Sequence, residues 1–284
     1  MISRKTREVQ LSNFDKAGFF TYLILMLWSF FSLAPLSLVL INSFRSSQEI
    51  YQKPLALPSG ISFDNYVNAW SKASFSSYFV NSMIITTLSI ILGVLLGALA
   101  AYPLARKKFL GRAFLLNLFV AGLLLPAQLG ILPVFNLLNR LDLIGSPFAL
   151  IIVYSVGSLP LAIVILTAFM RQIPASIEEA AQIDGAGELR IFRSFILPLS
   201  RPALATVAII QAAPIWNDFF YPLVLLRDKD RYTLPIGLTE FFSQYQSDYG
   251  LLFAGLVIVS LPLVVIFVFA TKQVIAGLTS GTDK

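Results

Sequence analysis

The 284-residue sequence contains no cysteine and no histidine. Without cysteine the chain can form neither a disulfide nor a thiolate metal site. Without histidine it has no imidazole metal ligand and no histidine-based catalytic triad. Charged residues are also scarce, at 13% of the chain against 57% hydrophobic residues. Soluble domains carry about 25% charged residues, so the composition favours a membrane protein over an unusually apolar soluble bundle.

The sequence contains several long runs of apolar residues. A helix needs about 20 predominantly apolar residues to cross a bilayer. Six stretches qualify, and they are roughly 20–41, 79–105, 113–135, 148–170, 203–226 and 251–271. Of these, only the fifth contains a formal charge, which is Asp218. The sequence therefore predicts an all-α membrane protein with six transmembrane helices.

Lysine and arginine in the connecting segments predict the orientation. With the N-terminus placed in the cytoplasm, inside segments hold 14 of these residues against 7 outside. We therefore expect a multi-pass protein of the plasma or inner membrane with both termini cytoplasmic. The same bias explains the net charge of +6. No basic stripe with interleaved aromatic residues is present, so nucleic acid is not an expected partner.

The spans divide the chain into three predicted regions. Residues 1–77 would form a cytoplasmic segment, an uncleaved first helix and an outer loop. Residues 78–275 would form a five-helix transmembrane domain, with a charged insert at 174–200 between the fourth and fifth spans. Residues 276–284 would form a cytoplasmic tail.

The charged insert predicts a first short helix. Ser176 and Glu179 have the spacing of a capping box, in which each side chain bonds the other residue's amide. The helix would end near Asp184, because Gly185 and Gly187 adopt the left-handed C-terminal conformation cheaply.

A second short helix is predicted near residues 188–195, with a break at Leu197-Pro198. Its apolar side would consist of Leu189, Phe192, Phe195 and Ile196. The insert could rest on lipid headgroups. However, the first helix is acidic, and anionic headgroups would repel it. A docked protein partner is the favoured interpretation.

One spacing in the insert resembles a known signature. Glu179-Ala180-Ala181, three residues, Gly185, and then Phe195-Ile196-Leu197-Pro198 is similar to the EAA signature of permease subunits of ATP-binding-cassette (ABC) importers. Phe195 stands where that family usually has isoleucine, which keeps an apolar contact. Further segments resemble the carbohydrate importers of this family, most of all the smaller permease of maltose-type systems. These segments are Asp184-Gly185-Ala186, Asn81-Ser82, Trp216-Asn217-Asp218-Phe219 and Gly277-Leu278-Thr279.

The resemblance implies a type I importer fold and several partners. These are a second homologous permease, two cytoplasmic ATPase subunits and an extracytoplasmic sugar-binding protein. It also implies two contacts with the ATPases. The coupling contact would use Glu179, Ala180, Ala181, Asp184, Gly185, Leu197 and Pro198. The tail contact would use Gly277, Leu278 and Thr279.

The chain has no G-x-x-x-x-G-K-[ST] phosphate loop, so it does not bind ATP by that route. The resemblance places ATP and magnesium on the separate ATPase subunits. We therefore expect no cofactor in this chain and no enzymatic activity of its own.

A polar residue inside a span has an unfavourable transfer free energy into lipid, and such residues usually face the interior of the helix bundle. Those of the fifth span, Trp216, Asn217, Asp218 and Tyr221, are the preferred candidates for a substrate path. The wider set adds Asn117, Gln128, Asn136, Tyr154 and Gln211. Helix–helix hydrogen bonding is the alternative for each of them. The resemblance also leaves open that the partner permease holds most of the sugar contacts.

Sugars or polyols are the favoured substrates, and other classes stay open. Glycerol phosphate, peptide, polyamine or phosphate permeases share the Glu179–Gly185 pattern. An ion-coupled secondary transporter would also have kinked helices and a buried carboxylate. Such transporters usually show paired repeats and more buried ionisable groups, and a single intramembrane Asp argues against that class.

Overall fold

The structure is a computed structural model that describes residues 4–72, 74–241 and 248–279. Regular structure in these ranges is helical throughout, which confirms the all-α prediction. The chain divides into two compact units, the first made of residues 1–69 and 243–257 and the second of residues 70–242 and 258–284.

In chain order the helices begin with α1 Arg4–Asn42, α2 Ser47–Gln52, α3 Asp64–Lys72, α4 Phe75–Arg106, α5 Arg112–Gly122, α6 Ile131–Arg140, α7 Pro147–Gly157 and α8 Leu159–Met170. They continue with α9 Ala175–Ile183, α10 Glu188–Ile191, α11 Leu197–Leu199, α12 Arg201–Trp216, α13 Phe220–Leu225, α14 Leu234–Gly237 and α15 Tyr249–Thr279. A π-helical turn covers Phe192–Ile196, and 3₁₀ turns cover Ala127–Gly130, Lys229–Arg231 and Leu238–Phe241.

Several of these helices are long and apolar enough to cross a membrane. Single helices of this kind cover Gly18–Asn42, Phe75–Arg106 and Tyr249–Val268. Two pairs of consecutive helices qualify only when each pair is counted as one span. The first pair is α7 and α8, with a bend of 41° between them, and the second is Glu188–Leu199 and α12, with a bend of 70°. By length and composition the described helices thus provide three spans, or up to five if each bent pair counts as one.

The third predicted span is not one continuous helix. It is divided into α5, with 11 residues, and α6, with 10. Each is about 16 Å long at 1.5 Å per residue, against about 30 Å of hydrocarbon. The interruption falls at Pro126, whose backbone is extended and which has no amide hydrogen to continue a helix.

In the first unit, a buried arginine organises the segment after α1. The Arg45 guanidinium donates to Asn42 Oδ1 at 2.7 Å, to Glu49 O at 2.9 Å and to Lys53 O at 2.7 Å. The Asn65 side chain, on α3, donates to Arg45 O at 2.9 Å. These bonds hold α2 and the start of α3 against the end of α1.

In the second unit, α4 packs against α7, α8 and α12. Small residues bring α4 and α8 close together. A Cβ built on Gly97 would lie 2.6 Å from Ala162 Cβ, and one built on Gly93 would collide with the Ser158 side chain. Close approach through small residues is how helices commonly pack in lipid.

The start of α4 also fixes a loop of the second unit. Asn81 Nδ2 donates to Asp230 O at 2.8 Å and to Tyr232 O at 3.0 Å, and Leu234 N donates to Ser82 Oγ at 2.9 Å. The Asn81-Ser82 pair singled out in the sequence therefore anchors the chain that leads into α14. The short helix α14 at Leu234–Gly237 follows directly on these bonds.

Candidate coupling segment and intramembrane cavity

The first helix of the coupling segment, residues 174–200, begins two residues earlier than predicted. Pro174 is the N-cap of α9, no side chain caps it, and the helix starts at Ala175. The expected capping box of Ser176 and Glu179 is therefore wrong. Proline fixes its own φ near the helical value and has no amide hydrogen, and Ser176 consequently lies within the first turn, where it cannot act as the cap.

The end of α9 matches the prediction at Asp184 and Gly185, whereas the left-handed conformation expected of Gly187 is wrong. Gly185 has φ of +78°, the left-handed conformation that costs other L-residues about 1–2 kcal/mol. Ala186 N donates to Ala181 O at 2.9 Å, and Gly185 N donates to Gln182 O at 3.0 Å. These two bonds form a Schellman motif, which fixes the direction of the chain after the helix. Gly187, in contrast, has φ of −72° and caps the start of α10.

The two faces of α9 have different environments. Ala181 is 3% exposed and packs in a core cluster with residues of α4, α8 and α12. The opposite face exposes Glu179, Ala180 and Asp184 together with Ile183, which is 86% exposed. Of the two alanines of the signature, Ala180 is exposed, whereas packing against the rest of this chain buries the methyl group of Ala181. The expected ATPase contact through Ala181 stays a prediction.

Two ion pairs hold the coupling segment to the C-terminal end of α4. Arg106 Nε donates to Glu178 Oε1, and both side chains are largely buried. Lys107 Nζ lies 2.5 Å from Glu188 Oε1 at a more exposed position, and this hydrogen bond raises the pKa of Lys107. Glu178 therefore pairs with a residue of this chain, whereas the carboxylates of Glu179 and Asp184 lie on the exposed face.

The second part of the segment is helical without interruption from Glu188 to Leu199. The predicted break at Leu197-Pro198 is wrong. Leu197 N donates to Phe192 O, five residues back, so a π turn widens the helix just before Pro198 and the missing proline amide is accommodated. The break comes instead at Ser200, between α11 and α12.

The π turn also changes which apolar residues are buried. Phe192 and Ile196 are buried as predicted, and Ile191 joins them. Leu189 and Phe195 are exposed, contrary to prediction. Phe192 contacts Tyr102 of α4, with ring centroids 5.2 Å apart. The π turn adds about one residue to a helical turn. The residues after it therefore face a different direction from the one that a regular 3.6-residue period predicts.

The carboxylate of the predicted fifth span lies at a break between α12 and α13. Pro222 would clash with the carbonyl group four residues earlier in a continuous helix, and the break falls there, at residues 217–219. Asp218 Oδ1 accepts a hydrogen bond from Phe220 N at 2.9 Å, which satisfies an amide at the start of α13. Asp218 Oδ2 accepts one from Tyr154 Oη on α7 at 2.7 Å.

Beside this break lies a cavity of about 360 Å³ within the second unit. Its lining consists of Gln128, Val153, Tyr154, Gly157, Ser158, Leu161, Ile210, Gln211, Pro214, Ile215, Asp218, Phe220 and Tyr221. Asp218 and Tyr221, proposed from the sequence, therefore lie together, and the wider candidates Gln128, Tyr154 and Gln211 join them.

The other polar candidates do not line the cavity. Asn117 and Asn136 are exposed on α5 and α6, and Asn217 is exposed in the break between α12 and α13. Trp216 is buried, its Nε1 donates to Val259 O at 2.9 Å, and its ring contacts Phe79 edge-on. Trp216 therefore joins α12 to α15 and does not line the cavity.

Sequence reasoning missed the remaining lining residues, although one signal was available. Gln211, Ile215 and Asp218 follow the i, i+4, i+7 spacing of one helix face. Ser158 lies at the bend between α7 and α8, and a single sequence gives no indication of which spans meet there.

The tail residues are described only in part. Gly277, Leu278 and Thr279 lie in the last turn of α15, and their side chains are outside the described part of the chain. Residues 280–284, the rest of the predicted tail, lie outside the described residues.

Comparison with known proteins identifies the family. Residues 93–276 match the family described as binding-protein-dependent transport system inner membrane component. The diacetylchitobiose uptake system permease protein of Streptomyces coelicolor is 38% identical over 92% of this chain and 87% of its own. The arabinooligosaccharides transport system permease protein of Halalkalibacterium halodurans is 35% identical over 90% of this chain and 92% of its own.

Solved structures include one with the same fold. The crystal structure of a bacterial ABC transporter involved in the import of the acidic polysaccharide alginate superposes with a TM-score of 0.78. It is 23% identical in sequence and covers 96% of this chain and 98% of its own. These matches confirm the resemblance that the coupling segment indicated, and the chain belongs to the family of inner membrane components of binding-protein-dependent transport systems.

Proposed function

We propose that this chain is the transmembrane permease subunit of an ATP-driven importer for oligosaccharides or related polyols. It pairs with a second, homologous permease, receives its substrate from an extracytoplasmic binding protein, and couples the closure of two cytoplasmic ATPase subunits to alternating access. The chain itself contributes shape and a substrate path, while the ATPase subunits bind ATP and magnesium.

The observation that carries the proposal is the coupling segment. One face of α9 is fixed to the chain through Ala181 and the Glu178–Arg106 ion pair, and the opposite face is exposed. A movement imposed on the exposed face is passed directly to α4, because the ion pair and the core cluster join the two helices. Ala180, Ile183 and the turn at Gly185 are the groups that would contact an ATPase subunit.

The exposed surface of the segment suits a protein partner. Ile183 and Leu189 are large apolar side chains, 86% and 74% exposed, beside the acidic residues Glu179 and Asp184. An apolar centre with a polar rim is typical of protein interfaces. We assign Leu197 and Pro198 a supporting role, since they lie in the continuous helix that leads from this surface toward α12. The tail at Gly277–Thr279 is proposed as a second ATPase contact.

Sugar as the substrate is supported by two features. Both relatives described above carry names that specify oligosaccharides as their substrates. The cavity supplies aromatic rings and hydrogen-bonding groups in an otherwise apolar lining, which is the general composition of small-molecule sites. Asp218 and Tyr221 line the proposed path, Trp216 supports it from behind, and Asn217 forms part of the break that opens it.

The proposed topology has six spans, with both termini cytoplasmic. The third span would be completed by α5 and α6 across the break at Pro126, and the fourth and fifth by the two bent pairs. Irregular backbone at membrane depth is tolerated where it is buried in protein or lines a cavity, and the break at residues 217–219 lies beside the cavity.

The test is to purify the assembled complex, reconstitute it in proteoliposomes and measure ATP hydrolysis with candidate solutes and the binding protein. We expect stimulation by an oligosaccharide such as N,N′-diacetylchitobiose or an arabinooligosaccharide. Glycerol 3-phosphate, a dipeptide and spermidine serve as controls for the other solute classes. Stimulation by one of these alone would refute the sugar assignment. Uptake that stops when the proton gradient is dissipated, while ATP stays high, would indicate a secondary transporter.

A further inference from the structure

Several polar groups of the cavity can accept hydrogen bonds. Gln211 is 5% exposed, and its Nε2 donates to Ser158 O at 3.1 Å. Its Oε1 is buried and has no hydrogen-bond partner among the described residues. Buried side-chain oxygens nearly always have a partner, so Gln211 Oε1 marks a position for a donor from a bound molecule.

Three other oxygens of the lining can accept further hydrogen bonds. Each carboxylate oxygen of Asp218 accepts one hydrogen bond, from Phe220 N and from Tyr154 Oη. A carboxylate can accept about four. Ser158 Oγ donates to Ser155 O at 2.8 Å and is left as an acceptor toward other groups.

The charge of the cavity has one sign. Asp218 is the one carboxylic acid among the residues that line it, and none of these residues is lysine or arginine. A single carboxylate in a cleft with low-dielectric walls attracts cations and repels anions more strongly than it would in water. Acceptors and negative charge together favour a ligand that brings donors and no negative charge.

The walls and the volume fit a small saccharide. Tyr154 and Tyr221 are edge-on to each other, with ring centroids 6.2 Å apart, and Phe220 lies beside them in the lining. The volume of about 360 Å³ is near the lower end of the range of about 300–1,000 Å³ found for small-molecule sites. A ligand of one or two sugar rings suits this space better than an extended polysaccharide.

We infer that this chain contacts the transported sugar itself and that Asp218 and Gln211 select neutral or amino saccharides against acidic sugars and sugar phosphates. Hydroxyl or amino groups of the ligand donate to Gln211 Oε1 and to the carboxylate, while its ring packs on the aromatic walls. This inference rests on the proposed function, because it assumes that the cavity is on the sugar path. It also separates this chain from the alginate importer, which shares its fold and handles an acidic polysaccharide.

The experiment uses the absence of native cysteine in this chain. A single cysteine is introduced as Gly157→Cys, where an added Cβ meets nothing within 4 Å. The assembled complex is treated with a cationic thiosulfonate, carrying trimethylammonium, or an anionic one, carrying sulfonate. The labelling rate is measured from the increase with time of the mass-shifted form of this chain. It is divided by the rate at which the same reagent reacts with a free thiol in solution, which corrects for the reagent's own reactivity. A second series with Leu161→Cys provides the same measurement if the first variant does not assemble.

We expect the corrected rate to favour the cationic reagent by about tenfold or more, the lower end of the effect of focused fields on encounter rates. Asp218→Asn should bring the ratio close to one. Asp142→Asn is the matched control, since it removes the same charge at an exposed position outside the cavity. Its φ of +54° is one that asparagine tolerates, so the ratio should stay unchanged.

Two results would overturn the inference. One is a ratio near or below one while Asp218 is intact, and the other is a ratio that Asp218→Asn leaves unchanged. The proposed function fails by a different result, in which no saccharide stimulates ATP hydrolysis by the reconstituted complex. The charge preference of the cavity would then stand, and its assignment to a sugar would be wrong.

Discussion

Replacing Gly185 tests whether the turn after α9 matters for coupling. Gly185→Val introduces a β-branched side chain at φ of +78°, where a Cβ meets no atom within 4 Å. The cost is therefore backbone strain alone, about 1–2 kcal/mol. If the turn relaxes to relieve this strain, the ATPase must restore it on docking. Because about 1.4 kcal/mol corresponds to a factor of ten in affinity, the dissociation constant should rise about 5- to 30-fold.

Gly187→Val is the matched control for this prediction. Gly187 lies two residues further on, has a negative φ of −72°, and also has open space around its Cα. Valine is a poorer N-cap than glycine by about 0.5–1 kcal/mol, but this cost falls on the start of α10 and leaves the left-handed turn after α9 unstrained. The assay titrates purified ATPase subunits onto the permease complex in nanodiscs and measures binding by fluorescence. Equal dissociation constants for the two variants would refute the role assigned to the left-handed turn.

Three further predictions address the ion pair, the carboxylate and the topology. Glu178→Gln should lower the free energy of unfolding by about 3 kcal/mol, because it leaves a largely buried guanidinium unpaired. Glu179→Gln on the exposed face should change the free energy of unfolding by less than about 0.5 kcal/mol. Equal melting temperatures for the two purified variants would contradict this prediction. Asp218→Asn keeps the hydrogen-bonding shape and should reduce uptake modestly with no new pH dependence, whereas Asp218→Leu should reduce it much more; complete loss in the Asn variant would argue for proton coupling. A cysteine at Ser59 should react with an impermeant thiol reagent from outside and one at Ser176 should not, and outside labelling of position 176 would reverse the orientation.

The local features of the coupling segment were predictable where a residue's own backbone preference decides them. Gly185 is the example, since an isolated glycine after a short helix predicts a left-handed turn and the structure has one. Pro198 is the opposite case. A proline in this position predicts a break, yet the π turn at Phe192–Ile196 accommodates it, and that turn depends on how the segment packs against α4.

The faces of α9 could not be predicted from sequence spacing alone. Ala180 and Ala181 are chemically identical, and only the packing of α9 against α4, α8 and α12 determines that Ala181 is the buried one. Glu178 and Glu179 differ in the same way, because the partner of Glu178 is Arg106, 72 residues earlier in the chain. Acidic character predicted a surface for a partner, and tertiary contacts removed one carboxylate from it.

The sequence by itself determined that the chain is helical and apolar enough to span a membrane, because lipid offers no partners for backbone amides and carbonyls and spanning segments must satisfy them internally. It also determined the position of the coupling insert and its turn, since both depend on interactions between neighbouring residues. Only the tertiary structure decided which polar residues share the cavity. Tyr154 and Asp218 are 64 residues apart, and they meet because α7 packs beside the break between α12 and α13, a contact that depends on the shapes of several helices at once.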